Sequence, residues 1–481
     1  MKTFKLTFLA AFAVMFYSCD DFNSDLEVEN RENPTSLQIG NEATANKIFQ
    51  NWYNTVNTYD SPGLALATMA DQITMSHGNQ AMRDMSSEPR IEWNNSPTYG
   101  FASITEYYFN SLHAVLADAN AIVQGLQGET AFTDPVKAES MARFGQGASL
   151  GNLALVFDRV FASDETGTLN DGEPLPYQEA IELALSKLDL AIAAANDGDF
   201  TVSDNIVYGK TLSSAQWSQF LNTYAARLMV MSARNADQRA NLDWNRVLGY
   251  TQNGLTYDFA VGQDGWNQWW PDHIIYSIYP GWGRVDMRII NMMDPSTTAH
   301  WPDNVNTFPA SSSEDDRLAT DFEYLASQAF APDRGYYHFS TYRHSRYHDI
   351  LTSGYVTDLY EMLKAENDLY MAEAHLYLGN LTEAAAIINS GTRVTRGGLA
   401  PVAADAEAIA DAIHYERMIE LMNTGMGLGF FEMRGTDNLQ AGTPLHFPVP
   451  GSALNAAGLP NYTFGGAIGT PGEDYSTGGW R

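Results

Sequence analysis

Cysteine is almost absent from the sequence, since Cys19 is the only one among 481 residues. No disulfide can therefore form within the chain. Basic residues are also scarce, with 27 Lys and Arg against 58 Asp and Glu, which gives a formal net charge of −31. Such an acidic surface repels nucleic acids and, on average, polyanionic ligands. Apolar residues still make up 44% of the chain, which is enough to build a folded core.

The apolar run near the start, residues 6–17, is too short to span a bilayer. It follows Lys2 and Lys5 and ends just before Cys19, which is typical of a secretory signal with a lipid-attachment cysteine. An ordinary cleaved signal with an incidental cysteine is the alternative. We expect the mature chain to begin at Cys19 and to be held at a membrane by lipid. Loss of Lys2 and Lys5 takes its net charge from −31 to −33.

Most of the remaining chain has apolar residues spaced three or four apart, which predicts helices. Residues 1–18 form the signal, residues 19–40 a polar tether, and residues 41–481 one domain. The predicted helices are Asn41–Tyr59, Ser103–Leu126, Ala138–Ala162, Tyr177–Ala195, Ser213–Asn235, Val356–Leu378, Leu381–Ser390 and Asp405–Met422. Several form alanine-rich pairs that resemble degenerate tetratricopeptide repeats. The fold class is therefore mainly α, a TPR-like helical repeat scaffold with long loop-rich insertions.

The largest predicted insertion covers residues 236–354, where helical periodicity fades and Gly, Pro and aromatic residues accumulate. Long loops inside a folded domain are usually functional. The insertion contains an aromatic run interrupted by glycine and proline: Trp266, Trp269, Trp270, Tyr276, Tyr279, Trp282 and Trp301. Sugar rings stack on such flat side chains, so this run predicts a glycan-binding surface. Its alternative role is to anchor loops onto the helical scaffold.

Polar residues between these aromatics are candidates for hydrogen bonds to sugar hydroxyls. They are Asn267, Gln268, Asp272, His273, Arg284 and Asp286. The net charge disfavours long anionic glycans, although a basic patch around four nearby arginines would offset it locally. Those arginines are Arg284, Arg288, Arg343 and Arg346. We therefore favour a neutral glucan, such as a β-1,3-linked storage glucan of the laminarin type.

Motifs that suggest catalysis or metal binding are weak. Residues 147–151 read GASLG and fit the nucleophile elbow G-x-S-x-G, but their flanks are helical in pattern, which favours a close helix contact. His344 and His348 stand four apart without the glutamate of a zinc protease. The sequence thus predicts no catalytic residues, no metal and no cofactor. Paired carboxylates for glycoside hydrolysis stay open, since 58 acidic residues are present.

Four segments carry a resemblance to one family. Residues 217–227 read WSQFLNTYAAR, residues 366–374 read ENDLYMAEA, residues 416–421 read ERMIEL, and residues 447–450 read FPVP. Together with Asn389, Arg393, Arg396 and Arg434, and behind a lipoprotein cysteine, this order resembles the SusD/RagB family of outer-membrane glycan-binding lipoproteins. Glu366 and Glu373 lie seven apart on one helix. We expect such carboxylates to pair with Arg393, Arg396, Arg417 and Arg434 and to fix helix packing.

The resemblance implies a non-catalytic protein at the cell exterior. It would bind a polysaccharide or oligosaccharide and deliver it to a SusC-like TonB-dependent outer-membrane transporter. In the family an early loop commonly faces the ligand, which here adds residues 76–93, with His77, Asn79, Gln80, Arg83 and Trp93, as a second candidate patch. A helical glycoside hydrolase and a surface protein-binding scaffold stay open as alternatives.

Overall fold

The computed structural model describes residues 40–74, 78–263, 271–281, 283–300, 308–326, 339–347 and 349–480. The helices in these ranges are α1 (Glu42–Ala45), α2 (Ile48–Val56), α3 (Gly63–Met69), α4 (Met82–Met85), α5 (Ser103–Gln127), α6 (Pro135–Val156), α7 (Tyr177–Asp197), α8 (Ser214–Met231), α9 (Ala236–Ala240), α10 (Trp244–Gln252), α11 (Asp272–Ile278), α12 (Met287–Met293), α13 (Arg317–Thr320), α14 (Asp349–Thr352), α15 (Lys364–Tyr377), α16 (Leu381–Ser390), α17 (Thr392–Thr395), α18 (Ala406–Ile419), α19 (Leu428–Gly435) and α20 (Gly451–Ala456). The mainly helical fold class is confirmed.

Strands are short and form antiparallel pairs only, within the described ranges. They are β1 (Ile73–Thr74), β2 (Arg159–Val160), β3 (Ser163–Asp164), β4 (Gly167–Thr168), β5 (Leu175–Pro176), β6 (Thr201–Val207), β7 (Lys210–Ser213), β8 (Phe259–Gly262), β9 (Arg284–Val285), β10 (Phe322–Tyr324), β11 (Tyr342–His344) and β12 (Asp358–Met362). The pairs are β1 with β9, β2 with β5, β3 with β4, β6 with β7, β8 with β12, and β10 with β11.

Two of the long helices, α6 and α8, begin where the sequence supplies capping groups. Pro135 starts α6, and the carboxylate of the preceding Asp134 accepts the backbone N–H of Lys137 at 3.0 Å. Ser213 and Gln216 form a reciprocal capping box at the start of α8. Each cap satisfies backbone donors that have no partner inside the helix.

Helix α6 lies at the centre of the N-terminal half and packs between α5 and α7. Glycines on α6 allow the close approach. A Cβ on Gly145 would stand 2.6 Å from Ile48 of α2, and one on Gly147 would stand 2.6 Å from Leu188 of α7. A Cβ on Gly151 would collide with Leu228 of α8. The sequence GASLG is therefore a helix contact, as predicted, and not a nucleophile elbow.

Aromatic side chains fill the space where α2, α6 and α8 meet. The ring of Phe49 lies 6.0 Å from Phe144 of α6 and 6.0 Å from Trp217 of α8. Trp52 meets Phe144 edge to face at 5.2 Å. All four rings are buried. The motif that begins at Trp217 therefore serves the core.

Buried ion pairs connect α8 to the C-terminal helices. Arg227 of α8 donates to both carboxylate oxygens of Glu366 on α15, at 2.7 and 2.8 Å, and to Glu361 at 2.6 Å. Burial alone would lower the pKa of Arg227, but the charges of Glu366 and Glu361 outweigh it and the net shift is upward. The guanidinium therefore stays charged and fixes the position of α15 against α8.

A second buried cluster joins α9, α15, α18 and α19. Glu373 accepts from Arg239 at 2.6 Å and from Arg417 at 2.6 Å. Glu432 accepts from the same two arginines, at 2.8 and 2.9 Å. The predicted structural role of Glu373 and Arg417 is thus confirmed.

The other motif arginines differ in their partners. Arg396 pairs with Glu420 and Asp321, whereas Arg393 stands 3.8 Å from Glu416. Arg434 was expected to meet a carboxylate, and this was wrong. It donates instead to three backbone carbonyls, those of Leu155, Met231 and Leu445. Burial lowers its pKa, because no carboxylate compensates the buried charge.

Three predicted helices differ from the structure. The segment Asn41–Tyr59 is broken into α1 and α2, and Ala138–Ala162 ends at Val156, before β2. The segment Val356–Leu378 begins as strand β12, in which Leu359 pairs with Val261 of β8. A short apolar segment cannot be assigned to a helix or a strand from its periodicity alone, and here the pairing with β8 makes it a strand.

The predicted insertion at residues 236–354 is more regular than its sequence indicates. Within its described part lie α9 to α14 and four short strands. None of the helices in the described residues has the length and apolar character needed to cross a membrane.

Candidate functional site

Much of the predicted glycan-binding surface lies outside the described residues. This applies to Trp266, Trp269, Trp270, Trp282 and His77 of the candidate site. It also applies to Trp301, Asn267, Gln268 and the side chain of Asp272, and to the lipidation residue Cys19. Their roles stay predictions. The described members are Tyr276, Tyr279 and Asn79, and their surroundings define the site geometry.

The described part of the site is built around one asparagine. The side-chain amide of Asn79 donates to the hydroxyl of Tyr276 at 2.5 Å and to that of Tyr59 at 2.9 Å. Tyr276 is 7% exposed, whereas Tyr59 is 43% exposed. One amide therefore holds a buried and an exposed phenol together. We call Tyr59, Asn79, Tyr276 and their neighbours Tyr279 and Tyr355 the tyrosine cluster.

Tyr279 and Tyr355 extend this cluster. Tyr279 follows α11 and packs partly buried against the core. Burial, followed by a hydrogen bond to Tyr279, raises the pKa of Tyr355 to about 12. The phenol of Tyr355 is therefore neutral at physiological pH. Tyr59 and Tyr355 were not predicted, because neither belongs to the aromatic run or to the early patch.

The backbone that presents Asn79 adopts an unusual conformation. Gly78, Gln80 and Ala81 have φ values of 70°, 48° and 61°. Such left-handed geometry costs about 1–3 kcal/mol for each non-glycine residue and persists only where the surroundings enforce it. The side chain of Gln80 is buried and donates to the carbonyl of Tyr59 at 2.8 Å, which supplies part of that enforcement.

The antiparallel pairing of strands β1 and β9 helps to position the site. Ile73 pairs with Val285, and Thr74 pairs with Arg284. Residues 75–77 continue from β1, and Trp282 precedes β9 by two positions. Gly283 passes so close to the carbonyl of Tyr276 that a Cβ would collide with it. The β1–β9 ladder and the hydrogen bond between Asn79 and Tyr276 therefore bring these two described residues together, although they are 197 residues apart in sequence.

Three residues predicted to hydrogen-bond sugar hydroxyls are buried instead. His273 is enclosed, and burial lowers its pKa to about 4. Arg284 donates to the carbonyls of Pro280 and Gly283. Asp286 caps α12 by accepting the N–H of Arg288 at 2.8 Å. These three side chains pack inside the protein. Residues that neighbour each other in an irregular segment of the sequence need not point in the same direction in space.

The predicted basic patch does not exist on the surface. Arg284, Arg288 and Arg343 are all buried, and Arg346 is mostly buried. Arg343 is engaged by the carbonyl of Ile278 and by Glu323, and Arg346 by Glu420. An anionic glycan would therefore find no counter-charge in these four arginines.

The early patch is also corrected in part. Trp93 is 1% exposed and packs edge to face on Phe447 at 4.8 Å and on Tyr99 at 5.3 Å. The ring of Trp93 therefore anchors the chain and cannot stack broadly on a ligand. Gln80 is buried as described above, whereas Arg83 is exposed.

Metal binding gains no support from the described part of the chain. His344 is buried, its Nδ1 lies 3.1 Å from the amide of Asn423, and burial lowers its pKa to about 3. Its sequence partner His348 lies outside the described residues. Within those residues no group of three His, Cys, Asp or Glu side chains is placed to hold a metal ion.

Solved structures share this architecture. A SusD superfamily protein from Parabacteroides distasonis matches with a TM-score of 0.61 at 15% identity, over 86% of this chain and 97% of that one. A SusD-like carbohydrate binding protein from Bacteroides fragilis matches with a TM-score of 0.57 at 12% identity, over 92% and 94% of the two chains. One described in the same words from Bacteroides vulgatus matches with a TM-score of 0.55 at 14% identity, over 82% and 83%.

These likenesses show that the chain has the SusD-like fold, a helical TPR-like scaffold. Identities of 12–15% establish the fold and no more. No protein-family model matches the chain, and no curated protein matches it.

Proposed function

We propose that this SusD-like chain binds a neutral polysaccharide or oligosaccharide at the cell surface and passes it, without cleaving it, to a SusC-like TonB-dependent outer-membrane transporter. One observation carries the glycan-binding part. The fold is that of proteins described as carbohydrate binding, and among the described residues Asn79 of the early patch donates to the phenol of Tyr276 from the aromatic run.

Stacking on exposed aromatic rings supplies the attraction in this proposal. Each aromatic contact contributes on the order of 0.5–1.5 kcal/mol beyond area burial. Tyr59 and Tyr279 offer rings in the described part, and Trp266, Trp269, Trp270 and Trp282 are proposed to add theirs. Hydrogen bonds replace those to water and add little net energy. We therefore expect dissociation constants between roughly micromolar and millimolar, weak enough for release to a channel.

The electrostatics of the chain support a neutral ligand. The net charge is −31, and the four arginines of the predicted basic patch are buried or mostly buried and engaged. A sulfated or uronic-acid polymer would therefore meet a net repulsion that these four arginines do not offset. A neutral glucan, such as a β-1,3-linked storage glucan, carries no charge and is not repelled.

Buried acidic residues favour binding over hydrolysis. Glu366, Glu373 and Glu432 are each hydrogen-bonded to arginine. A glycosidase acid needs a pKa raised toward neutrality and access to the substrate. Burial denies these three residues access to a substrate.

Two assays on the full chain test the proposal. Calorimetric titration with short neutral glucans should give saturable binding, and a reducing-sugar assay on the same mixtures should show no new chain ends. Turnover that disappears on changing one carboxylate would establish the hydrolase alternative instead. Absence of binding to every sugar, with specific capture of another protein, would establish the scaffold alternative.

Anchoring and partner are tested separately. Intact-mass analysis of membrane-purified protein should find lipid on Cys19 at the mature N-terminus. Mild-detergent purification from native outer membranes should recover a TonB-dependent barrel with the protein. An unmodified N-terminus downstream of Cys19, or repeated purification without a barrel, would remove these parts of the proposal.

A further inference from the structure

A cleft of about 660 Å³ opens between residues 91–96 and the loop of residues 461–463, with Asp84 of α4 at its side. At ~30 Å³ per water molecule, it has room for about twenty waters. None of the residues of the tyrosine cluster, all of which the structure describes, lines it. The cleft is therefore separate from the tyrosine cluster.

The walls of this cleft are held rigidly. The amide of Asn95 donates to Asn461 at 2.8 Å and to the carbonyl of Val449 at 3.0 Å. Asn461 returns a hydrogen bond to the carbonyl of Asn95 at 3.1 Å. The backbone of Trp93 donates to the carbonyl of Phe464 at 2.9 Å. A cleft fixed in this way loses little conformational entropy when a ligand enters.

Several polar groups that line the cleft have unused hydrogen-bonding capacity within the described part of the chain. Glu92 is exposed and its carboxylate has no partner there. Asn94 accepts the N–H of Ser96 at 3.1 Å, which leaves its amide hydrogens for a ligand. The indole Nε1 of Trp93 is buried without a partner, which a buried polar atom rarely is. Asp84 accepts from Tyr99 through one oxygen and keeps the other.

The chemistry of this lining selects the ligand class. It offers amide and indole donors, carboxylate acceptors and the exposed apolar side chain of Ile91. The residues that line it in the described structure include neither lysine nor arginine. An anion would be repelled by Asp84 and Glu92. A neutral molecule with many hydroxyl groups and apolar C–H faces fits all of these features.

The distance to the tyrosine cluster is limited by the chain itself. Asn79 of the cluster and Asp84 of the cleft are five residues apart, so their Cα atoms are separated by at most ~17 Å. A short oligosaccharide segment spans that distance. Two weak sites on one glycan chain raise the apparent affinity for a polymer without any new contact.

We infer that this cleft is a second saccharide subsite, which takes neutral sugar residues of the same glycan chain that contacts the tyrosine cluster. The inference rests on the proposed function and adds to it a second point of attachment. It follows that polymers bind more tightly than short oligosaccharides, and that the difference depends on the cleft.

Blocking the cleft tests this directly. Asn94→Trp should fill it, because Asn94 is exposed and a larger side chain there leaves the clamp of Asn95 and Asn461 intact. Retention on a neutral polysaccharide should fall roughly tenfold or more, as expected when a bivalent contact becomes monovalent. Gln252→Trp, on the exposed end of α10, is the matched control and should bind like the parent.

Short oligosaccharides provide the second readout. The parent should bind two per chain. Asn94→Trp should leave one, and Tyr59→Ala should weaken binding at the tyrosine cluster about three- to tenfold. Glu92→Gln replaces Asn94→Trp if the latter unfolds, and it should weaken binding at the cleft alone. A parent that binds one oligosaccharide, with polymer retention unchanged in the Asn94 and Glu92 variants, overturns the second subsite only. A parent that binds no sugar overturns the proposed function itself.

Discussion

At the scale of single residues, the site is organised by the side-chain amide of Asn79. It donates to two phenol oxygens at 2.5 and 2.9 Å, so Tyr276 and Tyr59 are oriented by one group. The left-handed backbone at Gln80 and Ala81 fixes the amide itself. Because these rings are already held in place, little side-chain conformational entropy is lost when a ligand stacks on them.

Tyr59 provides the most accessible test of the tyrosine cluster. Replacing it with Ala removes one stacking surface, and we expect affinity for a short neutral glucan to fall about three- to tenfold, in line with ~0.5–1.5 kcal/mol per aromatic contact. Tyr107→Ala is the matched control, because Tyr107 is exposed to the same degree, 44% against 43%, on α5. Calorimetry decides. Equal affinities for both variants and the parent would remove Tyr59 from the site.

Glu165 provides a test of pH dependence. Burial raises the pKa of Glu165, but hydrogen bonds from Arg143 and Gln146 lower it by more than burial raises it. The resulting pKa is about 2, against an ordinary value of 4.5. A depressed carboxylate pKa stabilises the fold fully above the ordinary value, and the contribution is lost as the pH falls from 4.5 to about 2.

The variant Glu165→Gln should therefore be less stable than the parent at neutral pH, and the difference should narrow as the solution is acidified through that range. Denaturant unfolding of both proteins at a series of pH values measures it. A difference that stays constant into the acid range would show that Glu165 acts through packing and not through its charge.

Residue-level prediction from the sequence failed where the direction of a side chain matters. Tyr276 and Asn79 were predicted to bind glycan in two separate patches, and that role stays a prediction, but their hydrogen bond to each other was not foreseen. His273 and Arg284 lie beside them in sequence but point into the scaffold, because side-chain direction in an irregular loop has no periodicity to read. Tyr59 ends an ordinary helical stretch, and nothing local marks it.

At the scale of secondary-structure elements, glycines set the distance between α6 and its neighbours. Gly151→Ala places a methyl group against Leu228 of α8 and should cost about 1–3 kcal/mol in the free energy of unfolding. Gly249→Ala, in the interior of α10, meets no atom within 4 Å and should stabilise by about 0.5–1 kcal/mol. Chemical denaturation measures both, and equal effects of the two substitutions would contradict the close packing of α6.

Ion pairs join the C-terminal elements. Glu373→Ala leaves Arg239 and Arg417 buried with Glu432 as their one remaining carboxylate partner in the cluster, and should destabilise the protein by about 3–5 kcal/mol. Glu182→Ala breaks the exposed pair with Arg246 and should cost about 0–1 kcal/mol. Urea unfolding of the two variants separates these cases. A loss below 1 kcal/mol for Glu373→Ala would show that the cluster does not hold the helices together.

Element prediction worked best for long amphipathic segments. Tyr177–Ala195 is observed as Tyr177–Asp197, and Leu381–Ser390 is observed unchanged. Strand β12 was missed, because its partner β8 lies about 100 residues earlier and a local pattern cannot reveal a distant pairing.

At the scale of the whole molecule, the order of motifs predicted a SusD-like fold, and the solved structures share it. The position of the site could be anticipated only in part. The β1–β9 ladder that joins the early patch to the aromatic run depends on contacts across some 200 residues, and those contacts leave no trace in either segment alone. The acidity of the chain, by contrast, is a property of composition and is read directly from the sequence.

The central claim is that the whole chain retains neutral glycans and rejects anionic ones. Electrophoresis of the full-length protein through native gels that contain a β-1,3-glucan, and in parallel gels that contain alginate, tests it most directly. We expect marked retardation of the protein in the glucan gel and unchanged mobility in the alginate gel, at low and at moderate salt. Unchanged mobility in gels of every neutral polysaccharide, or retardation in alginate alone, would contradict it.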